Sequence, residues 1–102
     1  MTSRYQMDDG TVVDTANAKE SWEEATYWDG RNHISRATGS QWNHETLHKS
    51  RKGRYYLERY SQVQGSRASA EWVSKRAAAA WLIANGHDVP DDLAGEAEEV
   101  SE

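Results

Sequence analysis

The sequence has no cysteine, no phenylalanine and only one proline among its 102 residues. The lack of cysteine excludes disulfides, thiolate zinc sites and a cysteine nucleophile, and it fits a reducing compartment. No apolar run approaches the length of a signal-peptide core or of a membrane span, which needs about 20 residues. We therefore expect a soluble, cytoplasmic protein that does not associate with membranes.

Large aliphatic side chains are also scarce, because Leu, Ile and Val together number 12. Five Trp and five Tyr compensate for them, since each aromatic side chain can bury on the order of 150–250 Å². The length leaves room for one small core. We expect a single small α+β domain over residues 1–93, irregular over residues 1–7, followed by an acidic disordered tail over residues 94–102.

The net charge of −5 conceals three blocks of alternating sign. Residues 1–30 carry two basic and seven acidic side chains, residues 31–76 carry ten basic and three acidic ones, and residues 77–102 carry seven acidic and no basic ones. A basic block between acidic ends suggests an anionic partner, but the blocks can equally neutralise one another within the fold. The charge pattern alone leaves both interpretations open.

The first part of the chain predicts a short strand and then a helix. Residues 11–13 follow a turn signal and are β-type, and residues 15–28 have apolar side chains at helical spacing after a suitable cap. The alternative is a strand that starts near Glu23, with Asp29-Gly30 as its hairpin turn. Residues 31–41 are rich in turn residues and predict a loop or one short strand. The apolar residues at helical spacing are Ala18, Trp22 and Ala25.

Residues 44–60 predict the central β-hairpin of the fold. Gly53 can adopt the left-handed conformation that closes a short loop, and pairing Ser50 with Arg54 fixes the register of both strands. Because side chains alternate along a strand, each face of the hairpin then receives its own set of pairs. One face receives Leu47–Leu57 and Glu45–Arg59, and the other receives His44–Tyr60 and His48–Tyr56.

Residues 68–73 predict a third strand, and Ser74–Asn85 predicts a helix. Ser74 is a good N-cap, and Gly86 stands where a left-handed residue ends a helix. We therefore expect an antiparallel sheet of three or more strands, with a C-terminal helix over residues 75–85 packed on one face and a shorter N-terminal helix. The helix stripe expected to face the sheet is Ala77, Ala78, Trp81 and Leu82.

HETLH at residues 44–48 matches the H-E-x-x-H pattern of zinc proteases, in which two histidines bind zinc and the glutamate acts as a base. That chemistry needs a helix, because four residues of a strand span about 13 Å and the two histidines could not reach one metal. A third ligand could come only from His33, His87 or a carboxylate, at no recognised spacing. The hairpin and the zinc hydrolase are mutually exclusive interpretations, and the hairpin is favoured.

Basic side chains concentrate at the tip of the predicted hairpin. In this position they can contact phosphates, and nearby tyrosines can stack on bases. Two further cations at the helix start oppose the helix dipole, which suggests a functional surface. Charged residues at a hairpin tip also serve simply to keep it soluble and to block edge pairing. The candidate residues for binding nucleic acid or another polyanion are Lys49, Arg51, Lys52, Arg54, Tyr56, Arg67, Lys75 and Arg76.

Together these features predict a non-enzymatic binding protein that has no catalytic residues, no cofactor and no bound metal. Nucleic acid or another polyanion is the favoured partner, and a role as a protein-protein interaction module or small regulator is the alternative. Aromatic and Arg side chains are enriched in protein interfaces, but here the aromatics are also the only large core formers.

Four segments of the chain are WDGRNHIS, GSQW, SRKGRYYLERYSQVQGS and EWVSKRAAAAWLIANGHDVPDDL. They resemble a group of small uncharacterised bacterial proteins that have a Lys/Gly-Arg-Tyr hairpin followed by an Ala-rich helix of the AAxWLxxNGH type. The resemblance covers most of residues 22–93. It implies the order hairpin, strand, helix, and it implies no activity. In that group the position of His48 is commonly another residue, which argues further against a zinc site.

Overall fold

The structure is a computed structural model that describes residues 4–63, 65 and 67–100. Within these ranges it contains eight strands followed by two helices, neither of which is long and apolar enough to cross a membrane. In chain order the elements are β1 (Arg4–Gln6), β2 (Val12–Asp14), β3 (Glu20–Glu23), β4 (Thr26–Trp28), β5 (His33–Ser35), β6 (Asn43–Lys49), β7 (Tyr55–Ser61), β8 (Ser69–Val73), α1 (Lys75–Ala84) and α2 (Ala94–Val100).

A four-stranded antiparallel sheet in the order β3-β6-β7-β8 is the centre of the fold. Two further antiparallel pairs, β1–β2 and β4–β5, form small hairpins of their own. The expected α+β class, with an antiparallel sheet and a C-terminal helix, is therefore confirmed. The largest single unit of pairing is β6 with β7, which joins seven residues of each strand.

The predicted register of the β6–β7 hairpin is confirmed at every pair. The backbone N–H of Ser50 donates to the carbonyl of Arg54 at 2.7 Å, and Gly53 closes the loop with a φ of 90°. Leu47 is fully buried, so a slip of one residue would turn its side chain to the opposite face of the sheet. Loop length and side-chain alternation therefore require the same pairing.

Helix α1 packs on the face of the sheet that carries Leu47. The hydroxyl of Ser74 caps the helix by accepting a hydrogen bond from the N–H of Ala77 at 3.0 Å, and Gly86 ends it with a φ of 75°. The buried side of the helix is Ala78, Ala79, Trp81 and Leu82, so Ala79 occupies the place that was expected for Ala77. The core on this face also includes Leu47, Tyr55, Leu57 and Leu93.

The opposite face of the sheet is covered by the β1–β2 hairpin. Met7 and Val13 pack there against Tyr56 in a second, smaller buried cluster. Tyr55 and Tyr56 are neighbours in sequence, but they point to opposite faces and each fills a different core. The aromatic residues therefore supply the bulk for two thin cores that the scarce aliphatic residues could not fill.

The predicted N-terminal helix over residues 15–28 is wrong. The segment starts with a 3₁₀ turn at Thr15–Asn17 and continues as strands β3 and β4. Trp22 lies opposite Leu47 in the pairing of β3 with β6, and this long-range contact outweighs the local helix propensity. The alternative hairpin at Asp29-Gly30 is closer to the structure, because β4 and β5 flank this turn.

Near both chain ends, the residues that the structure describes are more ordered than expected. Residues 1–7 were predicted to be irregular, but Arg4–Gln6 forms β1, while residues 1–3 lie outside the described part of the chain. Within the predicted disordered tail over residues 94–102, Ala94–Val100 forms helix α2 after a 3₁₀ turn at Asp91–Leu93, while residues 101–102 lie outside the described part of the chain. Ala97 packs on the core next to α1, and this apolar contact stabilises the helix of the acidic segment.

Candidate nucleic-acid interface

The topology brings separate basic segments to one end of the four-stranded sheet. The β6–β7 loop lies at this end, and β3 starts there, because the N–H of Lys19 donates to the carbonyl of Lys49 at 2.7 Å. Strand β8 ends there, because Val73 is paired with Tyr55. Helix α1 begins two residues later and so brings Lys75 to the same place. We call this region the turn end and define it as residues 19, 49–54 and 74–76.

Four exposed cations of the turn end form no ion pair with another residue in the described ranges. They are Lys19, Arg51, Lys52 and Lys75. The chain as a whole is acidic, but screening by salt limits charge effects to about 10 Å, so these cations contribute their positive charge locally at this end. The sequence did not reveal Lys19 as a member of the group, since the predicted helix separated it from the hairpin.

Arg54 is held at the edge of the turn end by two contacts. Its guanidinium carbon lies 3.7 Å from the ring centroid of Trp72, and its Nη1 donates to Asp9 at 3.1 Å. Hydrogen bonds from Thr11, supported by the one from Arg54, hold the pKa of the Asp9 carboxyl well below its usual range. Arg54 therefore presents a flat cation in a fixed position.

Two predicted site residues, Lys49 and Tyr56, are taken up by the fold. Lys49 points to the helix side of the sheet, where its Nζ lies 3.3 Å from Asp92, and its side chain is only 15% exposed. Tyr56 is 1% exposed and stacks on His48 with ring centroids 5.0 Å apart. Burial raises the pKa of Tyr56 to about 12. Neither side chain is available to a ligand, so the expectation that Tyr56 stacks on a base is corrected.

Arg76 and Arg67 differ in position. Arg76 lies at the turn end, but it also faces Glu99 of α2 at 3.8 Å. Arg67 lies at the opposite end of the sheet, since β8 starts at Ser69, which is paired with Arg59. It borders a separate groove of about 460 Å³ there. The structure therefore does not bring Arg67 together with the hairpin tip.

A groove of about 620 Å³ runs between the N-terminal hairpin and the β6–β7 loop. One wall is basic and carries Arg51, Lys52 and Arg54, and the other comes from β2 and the 3₁₀ turn that follows it. Val12, at this groove, is 62% exposed. The sequence identifies residues 11–13 as β-type, but the exposure of Val12 could not be inferred before the position of β2 was known.

The HETLH segment is part of strand β6, so the helix that zinc-protease chemistry needs is not present. His44 Nδ1 lies 3.1 Å from Glu24, whereas His48 Nε2 lies 2.9 Å from Glu58. The two histidines thus have different acidic partners, and a regular strand separates them by about 13 Å. Among the described residues, no group of three or more His, Asp or Glu side chains could hold a metal ion.

A hydrogen-bonded chain around His48 was not foreseen from the sequence. The Ser21 hydroxyl lies 2.7 Å from His48 Nδ1, Nε2 faces Glu58, and Glu58 also accepts a hydrogen bond from the Tyr5 hydroxyl. Serine, histidine and glutamate in this order resemble a hydrolase relay. Ser21 lines neither of these two grooves, and we assign the hydrogen-bonded chain a structural role. It links β3, β6 and β7 of the central sheet to β1 of the N-terminal hairpin.

Comparison of the chain with protein-family models, with curated proteins and with solved structures gives no significant match. The resemblance to small bacterial proteins therefore stays a prediction. The functional argument depends on the geometry of the turn end.

Proposed function

We propose that this protein is a small, non-enzymatic binding protein that binds nucleic acid through the turn end. The observation that best supports this proposal is the convergence there of four exposed cations without an ion pair to a described residue. Of the cations elsewhere, Arg59 is neutralised by Glu45 at 2.7 Å. Arg31, Arg36 and Arg67 also form no ion pair with a described residue, but they lie outside the turn end. Positive charge that the fold does not use is the feature a phosphate backbone binds.

The proposed contacts are made mainly to phosphates. Tyr56 is buried, and Arg54 covers one face of the Trp72 ring, so the aromatic residues beside the turn end offer no bare ring for stacking. Binding of this kind is largely independent of the nucleic acid sequence. Its affinity falls steeply as the salt concentration rises, because binding releases counterions from the phosphates. An acidic protein can bind in this way when its cations are gathered on one surface.

The direct test removes three of the four cations. We expect the triple variant Arg51→Ala/Lys52→Ala/Lys75→Ala to bind labelled DNA at least about tenfold more weakly than the wild type at about 50 mM salt. Fluorescence anisotropy measures the affinity. All three side chains are exposed, so the variant should keep its fold, which circular dichroism checks.

A matched control removes the same charge elsewhere. The triple variant Arg31→Ala/Arg36→Ala/Arg67→Ala changes the net charge equally but leaves the turn end intact, and its affinity should fall by less than about threefold. Equal losses in both variants would show a general charge effect and contradict the proposed surface. Lack of binding by the wild type at this low salt concentration would contradict the function itself.

A protein partner is the second candidate, because apolar side chains lie exposed at the end of the sheet opposite the turn end. Trp42 is 50%, Tyr60 42% and Val63 50% exposed, and the N–H of Gln62 donates to the carbonyl of Trp42 at 2.9 Å, which brings them together. Aromatic side chains are enriched in interface centres. A partner bound here would be retained by the Arg51→Ala/Lys52→Ala/Lys75→Ala variant and lost on Trp42→Ala.

A further inference from the structure

We infer that the groove beside the turn end holds one unpaired nucleotide, so that the preferred partner is a single strand or a strand end. This inference rests on the proposed function, and it adds which form of nucleic acid is bound. The groove volume of about 620 Å³ lies within the range of roughly 300–1,000 Å³ that is typical of small-ligand sites. It accommodates one nucleotide, whereas the bases of an intact duplex are stacked and paired out of reach.

Arg54 supplies the surface on which the base stacks. One face of its guanidinium lies on the Trp72 ring at 3.7 Å, and the side chain lines the groove while remaining 54% exposed. The second face is therefore open to the groove. Guanidinium planes stack on nucleic acid bases as aromatic rings do. The hydrogen bond to Asp9 fixes the plane, so little conformational entropy is lost when a base is bound.

The remaining parts of the groove match the rest of a nucleotide. Arg51 and Lys52 lie on the same wall as Arg54. They place positive charge beside the expected position of the nucleotide's phosphate group. On the opposite wall, the carboxylate of Asp14 is already engaged by Arg4 and by the N–H of Ala16, so its charge is partly compensated.

The side chain of Asn17, on the wall facing Arg54, makes no hydrogen bond to another described residue. Its amide offers both a donor and an acceptor to a base edge. The groove thus offers a guanidinium plane for base stacking, cations for the phosphate and an amide that can hydrogen-bond to the base edge. Proteins that bind single strands use these three kinds of contact.

The test compares a single strand of about 15 nucleotides with a blunt duplex of the same sequence. Asn17→Trp fills the groove and keeps every cation. We expect it to weaken binding of the single strand by about tenfold and to change duplex binding by less than about twofold. Thr26→Trp, on the exposed strand β4 away from both grooves, is the matched control and should change neither.

A second variant protects the test against misfolding of Asn17→Trp. Arg54→Lys keeps the charge but removes the stacking plane, and we expect it to weaken single-strand binding by about fivefold with duplex binding unchanged. If the wild type binds both forms alike, and neither variant discriminates between them, the groove inference is overturned while the proposed function stands. If the wild type binds neither form, the proposed function fails as well.

Discussion

The two ends of the β6–β7 hairpin both carry arginine, but they use its charge differently. At the end away from the loop, Arg59 is bound between Glu45 and Glu71, and its Nε donates to Glu45 at 2.7 Å. At the turn end, Arg51 and Lys52 are exposed and form no ion pair within the described ranges. Arg59, held between two carboxylates, serves the fold, whereas the exposed Arg51 and Lys52 remain available to a ligand.

The largest expected effect comes from breaking the paired end. Glu45 is 8% exposed and accepts hydrogen bonds from Arg59 and from the indole of Trp81 at 3.2 Å. Glu45→Ala leaves both donors without their acceptor, so we expect the free energy of unfolding to fall by about 2–3 kcal/mol. Urea denaturation measures the loss. Glu45→Gln keeps an acceptor and should lose less.

The same measurement on the turn end sharpens the contrast. Arg51→Ala/Lys52→Ala should change the free energy of unfolding by no more than about 0.5 kcal/mol. A stability loss at the turn end as large as that of Glu45→Ala would mean that its cations also serve the fold, and the distinction between the two ends would then be lost.

An intermediate loss of stability is expected where a side-chain hydrogen bond joins the β1–β2 hairpin to the sheet. Tyr5→Phe removes the hydroxyl that donates to Glu58, and we expect the free energy of unfolding to fall by about 1 kcal/mol. Amide hydrogen exchange in β1 and β2 should become faster at the same time. Tyr27→Phe, at an exposed tyrosine, is the matched control. Equal behaviour of the two variants would contradict a fastening role for the Tyr5 contact.

A further small effect concerns Lys49, which, like Arg54 and Arg76, is a turn-end cation with a carboxylate partner. Burial by itself raises the pKa of the Asp92 carboxyl, but hydrogen bonds from Tyr55 and Lys49 outweigh it, and the net pKa lies below the ordinary 3.8. The ionised carboxylate therefore stabilises the fold above pH 3.8, and this contribution is lost as the pH falls through the lowered pKa.

Asp92→Asn should accordingly reduce the free energy of unfolding at pH 7 by less than about 1 kcal/mol, because the pair is partly exposed to solvent. The difference from the wild type should shrink as the pH is lowered from 5 towards 2, about the range in which the carboxyl is protonated. Denaturation series at several pH values measure it. A difference that does not depend on pH would show that the ion pair is not its cause.

How much of the fold the sequence predicts depends on the range of the contacts. The β6–β7 register follows from a short loop around Gly53 and from side-chain alternation, both of which are local signals. The N-terminal helix prediction failed because Trp22 is stabilised in β3 by its place opposite Leu47, 25 residues further along the chain. Helical spacing within residues 15–28 could not reveal such a partner.

The residues of the candidate site can likewise be separated into those placed by local signals and those placed by distant contacts. The predicted register already places Lys49 on the face of Leu47, so its turn towards the core could have been inferred from alternation. The burial of Tyr56 could not, because it depends on the β1–β2 hairpin that covers the other face. Lys19 joined the turn end only through the pairing of β3 with β6. Residues placed by distant pairings are the ones that the sequence assigned wrongly or missed.

The salt dependence of DNA binding tests the central claim most directly. Four phosphate contacts predict a slope of log affinity against log salt of about −3 to −4 for the wild type. Arg51→Ala/Lys52→Ala should reduce its magnitude by about 2, since each contact contributes about 1. An unchanged slope in this variant, or no binding by the wild type even at about 50 mM salt, would contradict binding through the turn end.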